Sequence, residues 1–267
     1  ALATSLRKAD SKQRLEDLYA PYKPKRRTRA QIAREAGLEP LADAILHDLK
    51  AEPEIFALQY INAEANVLDA KSALDGARDI LAERFAETAD VIADLRQFVW
   101  QHGFLHARVV EGKETEGANF RDWFNFSEPL RKVPSHRMLA MLRGRQQGVL
   151  DLRIGLSVEE DALVPHPCVA RLAVRLSIPN DTFTPQASAR SRWLGDVSRW
   201  TWRVKMLTAF ETEFISNLRE SAETEAIRVF GANLKDLLLA APAGPKAVLG
   251  LDPGIRTGVK LAAIDVT

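Results

Sequence analysis

From Ala187 to Ala241 this chain contains no proline, and its apolar residues step by three and four: Trp193, Val197, Trp200, Val204, Leu207, Phe210, Phe214, Leu218, Ala222 and onward to Leu237. That rhythm is the stripe of an amphipathic helix. A single helix of this length would span roughly 70–80 Å at 1.5 Å per residue. It is too long to hide in a compact core, so the stretch reads as a spine connecting separate lobes. Gly195 and Gly231 are the points where it could break. Trp193, Trp200 and Trp202 read as packing rather than as a ligand box.

The residues before the spine read as further helices, so the expected class is mainly α, a multi-helical bundle. The first helix runs to about Tyr19. Pro21 and Pro24 then force an extended course. Thr28 caps a helix that Gly37 stops, and "LEPLADAILHDLK" follows with its proline in the first turn. This pair has some of the spacing of a helix-turn-helix, but Asp43 occupies the place of an apolar β-branched residue, so ordinary packing is the reading. Asp69 to Phe85 is helical, and Thr88 is expected to cap a helix ending near Gly103. Gly112 and Gly117 break the pattern after that. Ser135 is expected to cap a helix through Leu150. "PCVARLAVRLSI" forms a short helix and "SIPNDTFTP" a linker.

Cations bunch in two places. Lys23, Lys25, Arg26, Arg27, Arg29 and Arg34 form one cluster; Arg131, Lys132, Arg137, Arg143 and Arg145 form another, with no acid between Glu128 and Asp151. A net charge of +1 conceals both. Such clusters suit phosphate binding, and local patches matter more than the total; the competing reading is a merely solvated face. Phe120, Trp123, Phe124 and Phe126 lie next to the second cluster, where rings could stack bases. For Trp123 and Phe124 a place in the core is the preferred reading. His102 and His106 are four apart, but Gly103 between them and the lack of a third ligand argue against a metal site. No cofactor motif and no small-molecule substrate site is read. No apolar run approaches the ~20 residues of a membrane span. The single cysteine, Cys168, cannot form an internal disulfide, which suits the cytoplasm.

After "APAGP" the pattern changes to two apolar runs joined by a turn, "AVLGLD" and "GVKLAAID". An aspartate, Asp252, at the end of a buried first strand, followed by Pro-Gly-x-x-Thr-Gly and an antiparallel second strand, opens an RNase H-like fold. Two-metal phosphodiester cleavage in such a fold needs three or four convergent carboxylates. One is well placed here, because Asp265 lies beyond the second strand.

The strings "RLEDLYAPYKPKRRTRAQIAREAGLEPLADAIL", "SEPLRKVPSHRMLAMLRGR", "RWTWRVK" and "EAIRVFGANLKDLLLAAPAGPKAVLGLDPGIRTGVKLAAID" resemble the Tex family of bacterial transcription accessory proteins. The resemblance implies residues 1–186 as an amino-terminal helical region, 187–241 as a long central helix, and 246–267 as the start of a YqgF RNase H-like α/β domain, all within a longer protein. It implies a cytoplasmic, RNA-binding role in transcription. It also implies that the YqgF module is not catalytic, Asp252 being the position that matches a catalytic aspartate of active relatives. Three functions stand open at this point. One is a non-catalytic nucleic-acid scaffold. Another is a metal-dependent nuclease or resolvase using Asp252. The third is a protein–protein scaffold for RNA polymerase or the ribosome.

Overall fold

In the computed structural model the described residues are 6, 7, 9, 11–19, 22, 27–241, 244–254 and 258–267. The contact pattern divides the chain into two compact units, Ala1–Ala222 and Glu223–Thr267.

The first unit begins with α1 (Lys12–Tyr19), α2 (Arg29–Glu35), α3 (Glu39–His47) and α4 (Pro53–Leu58), followed by α5 (Ala70–Ala86) and α6 (Ala89–His102). The Thr28 hydroxyl accepts the Gln31 N–H at 3.0 Å, and Gly37 ends α2 at φ +78°. The Leu38 N–H reaches the Ala33 carbonyl and the Gly37 N–H reaches that of Arg34. This is a Schellman closure, in which the left-handed residue costs glycine no Cβ clash. Asp69 and Ser72 form a reciprocal capping box on α5. Thr88 departs from expectation. Its hydroxyl donates backward to the Arg84 carbonyl at 3.0 Å and caps nothing on α6.

The segment from Gly103 to Gly155, expected to be irregular and then helical, holds a three-stranded antiparallel sheet in the order β2-β1-β3. Its strands are β1 (Phe104–Val109), β2 (Asn125–Pro129) and β3 (Leu150–Gly155), with Phe104 opposite both Pro129 and Gly155. Leu105, Ala107, Leu150, Leu152 and Ile154 turn to one face and are buried; the residues between them are not. Helix α7 (Ser135–Gln146) stops before Leu150, closed by a second Schellman turn at Gly148, φ +69°. Its N-cap is Pro134, so Ser135 is inside the helix and caps nothing. His106 is on a strand, not on a helix face shared with His102, and its Nε2 lies 2.9 Å from the Leu156 carbonyl oxygen.

Helices α8 (Val158–Asp161), α9 (Pro167–Arg175) and α10 (Ala189–Trp200) complete the unit. The expected linker after α9 is packed rather than loose, since Ile178 and Thr182 are buried. Two apolar cores result. One gathers α2, α3, α5 and α10 around Leu41, Ile45, Ile80, Leu81 and Leu194. The other lies under the sheet, with Leu95, Leu130, Met138, Met141, Leu172 and Trp202.

The proline-free stretch is helical from Ala189 to Leu238. α10 passes into a π-helical segment, Thr201–Met206, and then into α11 (Leu207–Leu238); neither Gly195 nor Gly231 breaks the run. The widened turn has a local cause. The buried hydroxyls of Ser198 and Thr201 donate to the carbonyls of Leu194 and Val197 at 2.9 and 2.8 Å. Such back-bonding competes for helix carbonyls and bends helices.

The second unit contains the antiparallel hairpin β4 (Val248–Pro253) and β5 (Val259–Ile264), with Asp252 opposite Lys260. Gly258 takes φ +67° and its carbonyl accepts the Gly254 N–H. The first strand, expected to be buried, is exposed at every residue, because the sheet has only these two strands.

Candidate nucleic-acid interface

The amino-terminal cations separate by what they touch. Lys23, Lys25 and Arg26 lie outside the described residues. Arg27 grips Glu35 through Nε and Nη2, at 3.2 and 2.6 Å from Oε2, and its hydrogen bond holds the Glu35 carboxyl below its ordinary range. Arg34 reaches the buried Glu83 at 2.8 Å and Glu39 at 3.6 Å. Arg84 in turn reaches Glu39 and Asp43 at 3.3 and 2.6 Å. This ion network clamps α2 and α3 onto α5, and it explains the aspartate at position 43. Arg29 stays exposed without an ion-pair partner among the described residues.

The second cluster is contiguous in sequence and divided in space. Arg131 and Lys132 lie in a 3₁₀ turn after β2, exposed and without an ion-pair partner among the described residues. Arg137 is half-buried and bonded to Glu128 of β2 at 3.0 Å. Arg143 and Arg145 are exposed and without an ion-pair partner among the described residues near the end of α7, but helical residues two apart point about 160° from each other. The neighbouring rings are not free platforms. Phe120 is buried, and Trp123 meets Phe126 edge-on at 4.9 Å while both pack on the core.

A third basic site brings Trp200 and Val204, which the sequence reading treated as packing, together with charged residues it did not single out. Arg78 of α5 and Asp196, Arg199, Trp200, Arg203 and Val204 line a cleft of about 540 Å³. The Arg78 guanidinium lies over the Trp200 ring, 4.1 Å from its centroid, held by Asp75 at 2.6 Å and Asp79 at 3.5 Å. Two donors of these residues, Arg78 Nε and Trp200 Nε1, are buried without an acceptor among the described residues. Arg199 contacts Asp196, while Arg203 is exposed and has no partner among the described residues. The only sequence signal was the interleaving of arginine and tryptophan in "RWTWRVK". Trp202, in the same string, is core: it is 4% exposed and stacks on His166.

A larger cleft of about 600 Å³ lies between α1, α6 and α11. Its charges neutralise one another. Arg96 takes both oxygens of Asp17 at 2.6 and 3.0 Å and lies 2.8 Å from Glu213. Burial pushes the Glu213 carboxyl above its ordinary range despite that arginine.

Asp252 is exposed at the end of β4, 3.7 Å from the Lys260 ammonium. Among the described residues no group of three or more His, Cys, Asp or Glu is placed to hold a metal ion. Cys168 is buried, and desolvation raises its thiol pKa. Among the described residues no helix is long and apolar enough to cross a membrane.

Comparison with known proteins places these features in a family. The family described as Tex central region-like matches residues 48–230. The chain is 70% identical over 259 residues to protein tex of Bordetella pertussis, covering 97% of this chain and 33% of that protein. It is 48% identical to the transcriptional accessory protein Tex of Neisseria gonorrhoeae, over all of this chain and 34% of the relative. The human S1 RNA-binding domain-containing protein 1 is 30% identical over 264 residues, 95% of this chain and 25% of that protein. The chain thus spans about one third of the length of the bacterial relatives.

Proposed function

The chain belongs to the Tex family, and from that premise we propose that it is a non-catalytic, RNA-binding scaffold within a cytoplasmic transcription accessory protein. The observation that carries the reading is that five cations of the two sequence clusters, Arg29, Arg131, Lys132, Arg143 and Arg145, are exposed and have no carboxylate partner among the described residues. A lysine or arginine already held by a carboxylate must give up that contact to meet a phosphate. An unengaged one exchanges only water and counterions, so its contribution is the entropy of counterion release. The names of the relatives, a transcriptional accessory protein and an S1 RNA-binding domain-containing protein, support the same direction.

The experiment is an affinity series for a single-stranded RNA oligonucleotide against salt. For about five phosphate contacts the slope of log K against log salt is about −3.5 on a single strand. Arg131→Glu with Lys132→Glu is expected to make that slope shallower by about 1.4. A flat response, or no binding at low salt, refutes the reading. Capture of RNA polymerase or ribosomes that survives nuclease treatment would assign the cations to an acidic protein surface instead. The nuclease reading is separated by incubation with Mg²⁺ or Mn²⁺. Cleavage that disappears in Asp252→Asn would overturn the non-catalytic assignment.

A further inference from the structure

We propose that the cleft of Arg78, Trp200 and Arg203 binds one nucleotide unit of a single strand, its phosphate at Arg199 and Arg203 and its base against the Arg78–Trp200 stack. The inference rests on the nucleic-acid reading above and adds to it a specific pocket outside both cation clusters. The volume of about 540 Å³ lies in the range of small-ligand sites. Its chemistry is mixed in the way a nucleotide requires, with guanidinium groups for an anion and an indole for a planar ring.

Three features of the site argue against a merely structural cleft. Arg203 lines it, exposed and with no partner among the described residues. Trp200 Nε1 and Arg78 Nε are two of the six buried side-chain polar atoms that have no hydrogen-bond partner among the described residues, and buried donors are normally hydrogen-bonded. A phosphate or base oxygen entering the cleft could satisfy both after a small rotation of the Arg78 side chain. Finally, the site lies where α10 passes into the π-helical segment, a widening that frequently marks functional positions. Residues 199, 200, 203 and 204 thereby share one face, with spacings of one and four.

The test uses this chain with the RNA oligonucleotide above and three variants. Arg203→Glu reverses the unpaired charge. Trp200→Phe keeps a ring and removes the donor. Arg192→Glu changes net charge by the same amount at an exposed residue of α10 that does not line the cleft. Arg203→Glu is expected to weaken RNA binding about tenfold, the scale of a lost charged hydrogen bond, and Trp200→Phe, which loses one donor and keeps the ring, about fivefold. Arg192→Glu should change it less than about threefold, since it alters only the screened overall field. Circular dichroism and the urea midpoint identify any variant that is misfolded. Should the Trp200 variant misfold, Arg203→Glu against Arg192→Glu decides alone. If the unmodified chain binds no RNA, the nucleic-acid reading itself fails. If it binds and Arg203→Glu behaves like Arg192→Glu, the cleft assignment fails while that reading stands. Competition by polyglutamate as effective as by oligonucleotide would mean a generic anion site and would also overturn the assignment.

Discussion

Replacing Arg190 should be among the most damaging single changes in the first unit. This arginine is 5% exposed, in the first turn of α10. It donates from Nε to the Ile45 carbonyl at 2.7 Å and from Nη2 to the Leu46 carbonyl at 2.6 Å. Those carbonyls belong to the last turn of α3, where the helix provides no N–H of its own. The Asp48 N–H already takes the Ala44 carbonyl. Arg190→Met retains the length of the stem and removes both bonds. Each buried acceptor left unpaired costs about 1–3 kcal/mol, and part is returned because a guanidinium no longer has to be buried. The expected loss is about 3–4 kcal/mol. Arg190→Lys keeps the charge but can serve one carbonyl well, so it should lose about half as much. Urea unfolding with an unchanged m-value is the assay. A Met variant within about 1 kcal/mol of the parent, or a Lys variant no better than Met, would show that water serves these carbonyls and would refute the capping argument.

Other substitutions test other parts of the packing. Ser177 sits at φ +55° as the left-handed residue of a Schellman turn after α9; Ser177→Gly should raise stability by about 0.5–1 kcal/mol in the same urea assay. A Cβ on Gly144 would come within 2.6 and 2.8 Å of Leu150 and 3.1 Å of Phe120. Gly144→Ala should therefore cost about 1–2 kcal/mol, overpacking outweighing the gain in helix propensity. Asp94 is held to about 2 by hydrogen bonds from Arg171 first and Arg175 second. Its folded pKa is below the unfolded value, so its contribution is complete above about pH 4 and fades as pH falls toward 2. Asp94→Asn should cost about 1–2 kcal/mol at pH 7, reduced because Arg171 and Arg175 are 41% and 51% exposed, and should approach parity near pH 2 in acid titration of stability.

The helices were legible because their signals are local. Thr28, Gly37 and the Asp69–Ser72 pair each act within a few residues of the helix end they set. The small sheet was not. Its strands are short, and "FLHARV" and "LDLRIG" alternate over so few positions that flanking helical periodicity dominates. Thr88 shows the limit even of local rules, since its hydroxyl had two possible backbone partners and took the helix behind it. The fate of the cations was the least legible. Which arginine is spent depends on acids far away in the chain, as with Arg34 and Glu83, or Arg96 and Asp17. The Arg78–Trp200 contact joins residues about 120 positions apart, and no periodicity reports such a meeting.

That sorting changes how the charge of this chain should be counted. Arg96 and Arg78 are both substantially buried and both touch two carboxylates. They differ in where those acids lie. In Arg96 Nε lies 2.8 Å from Glu213, so the cation is enclosed by acids from two other helices and clamps them together. Moving it toward a ligand would leave Asp17 and Glu213 as buried, uncompensated charges. In Arg78 the acids are Asp75 and Asp79 of its own helix, and no carboxylate of another helix reaches it among the described residues. Moving that side chain would break no ion pair between elements, only its stack on Trp200 of α10, and Asp75, already about half exposed, would remain solvated. Two arginines with the same number of acidic neighbours therefore carry different capacities. The first holds helices together, while the second can exchange partners without dismantling a core.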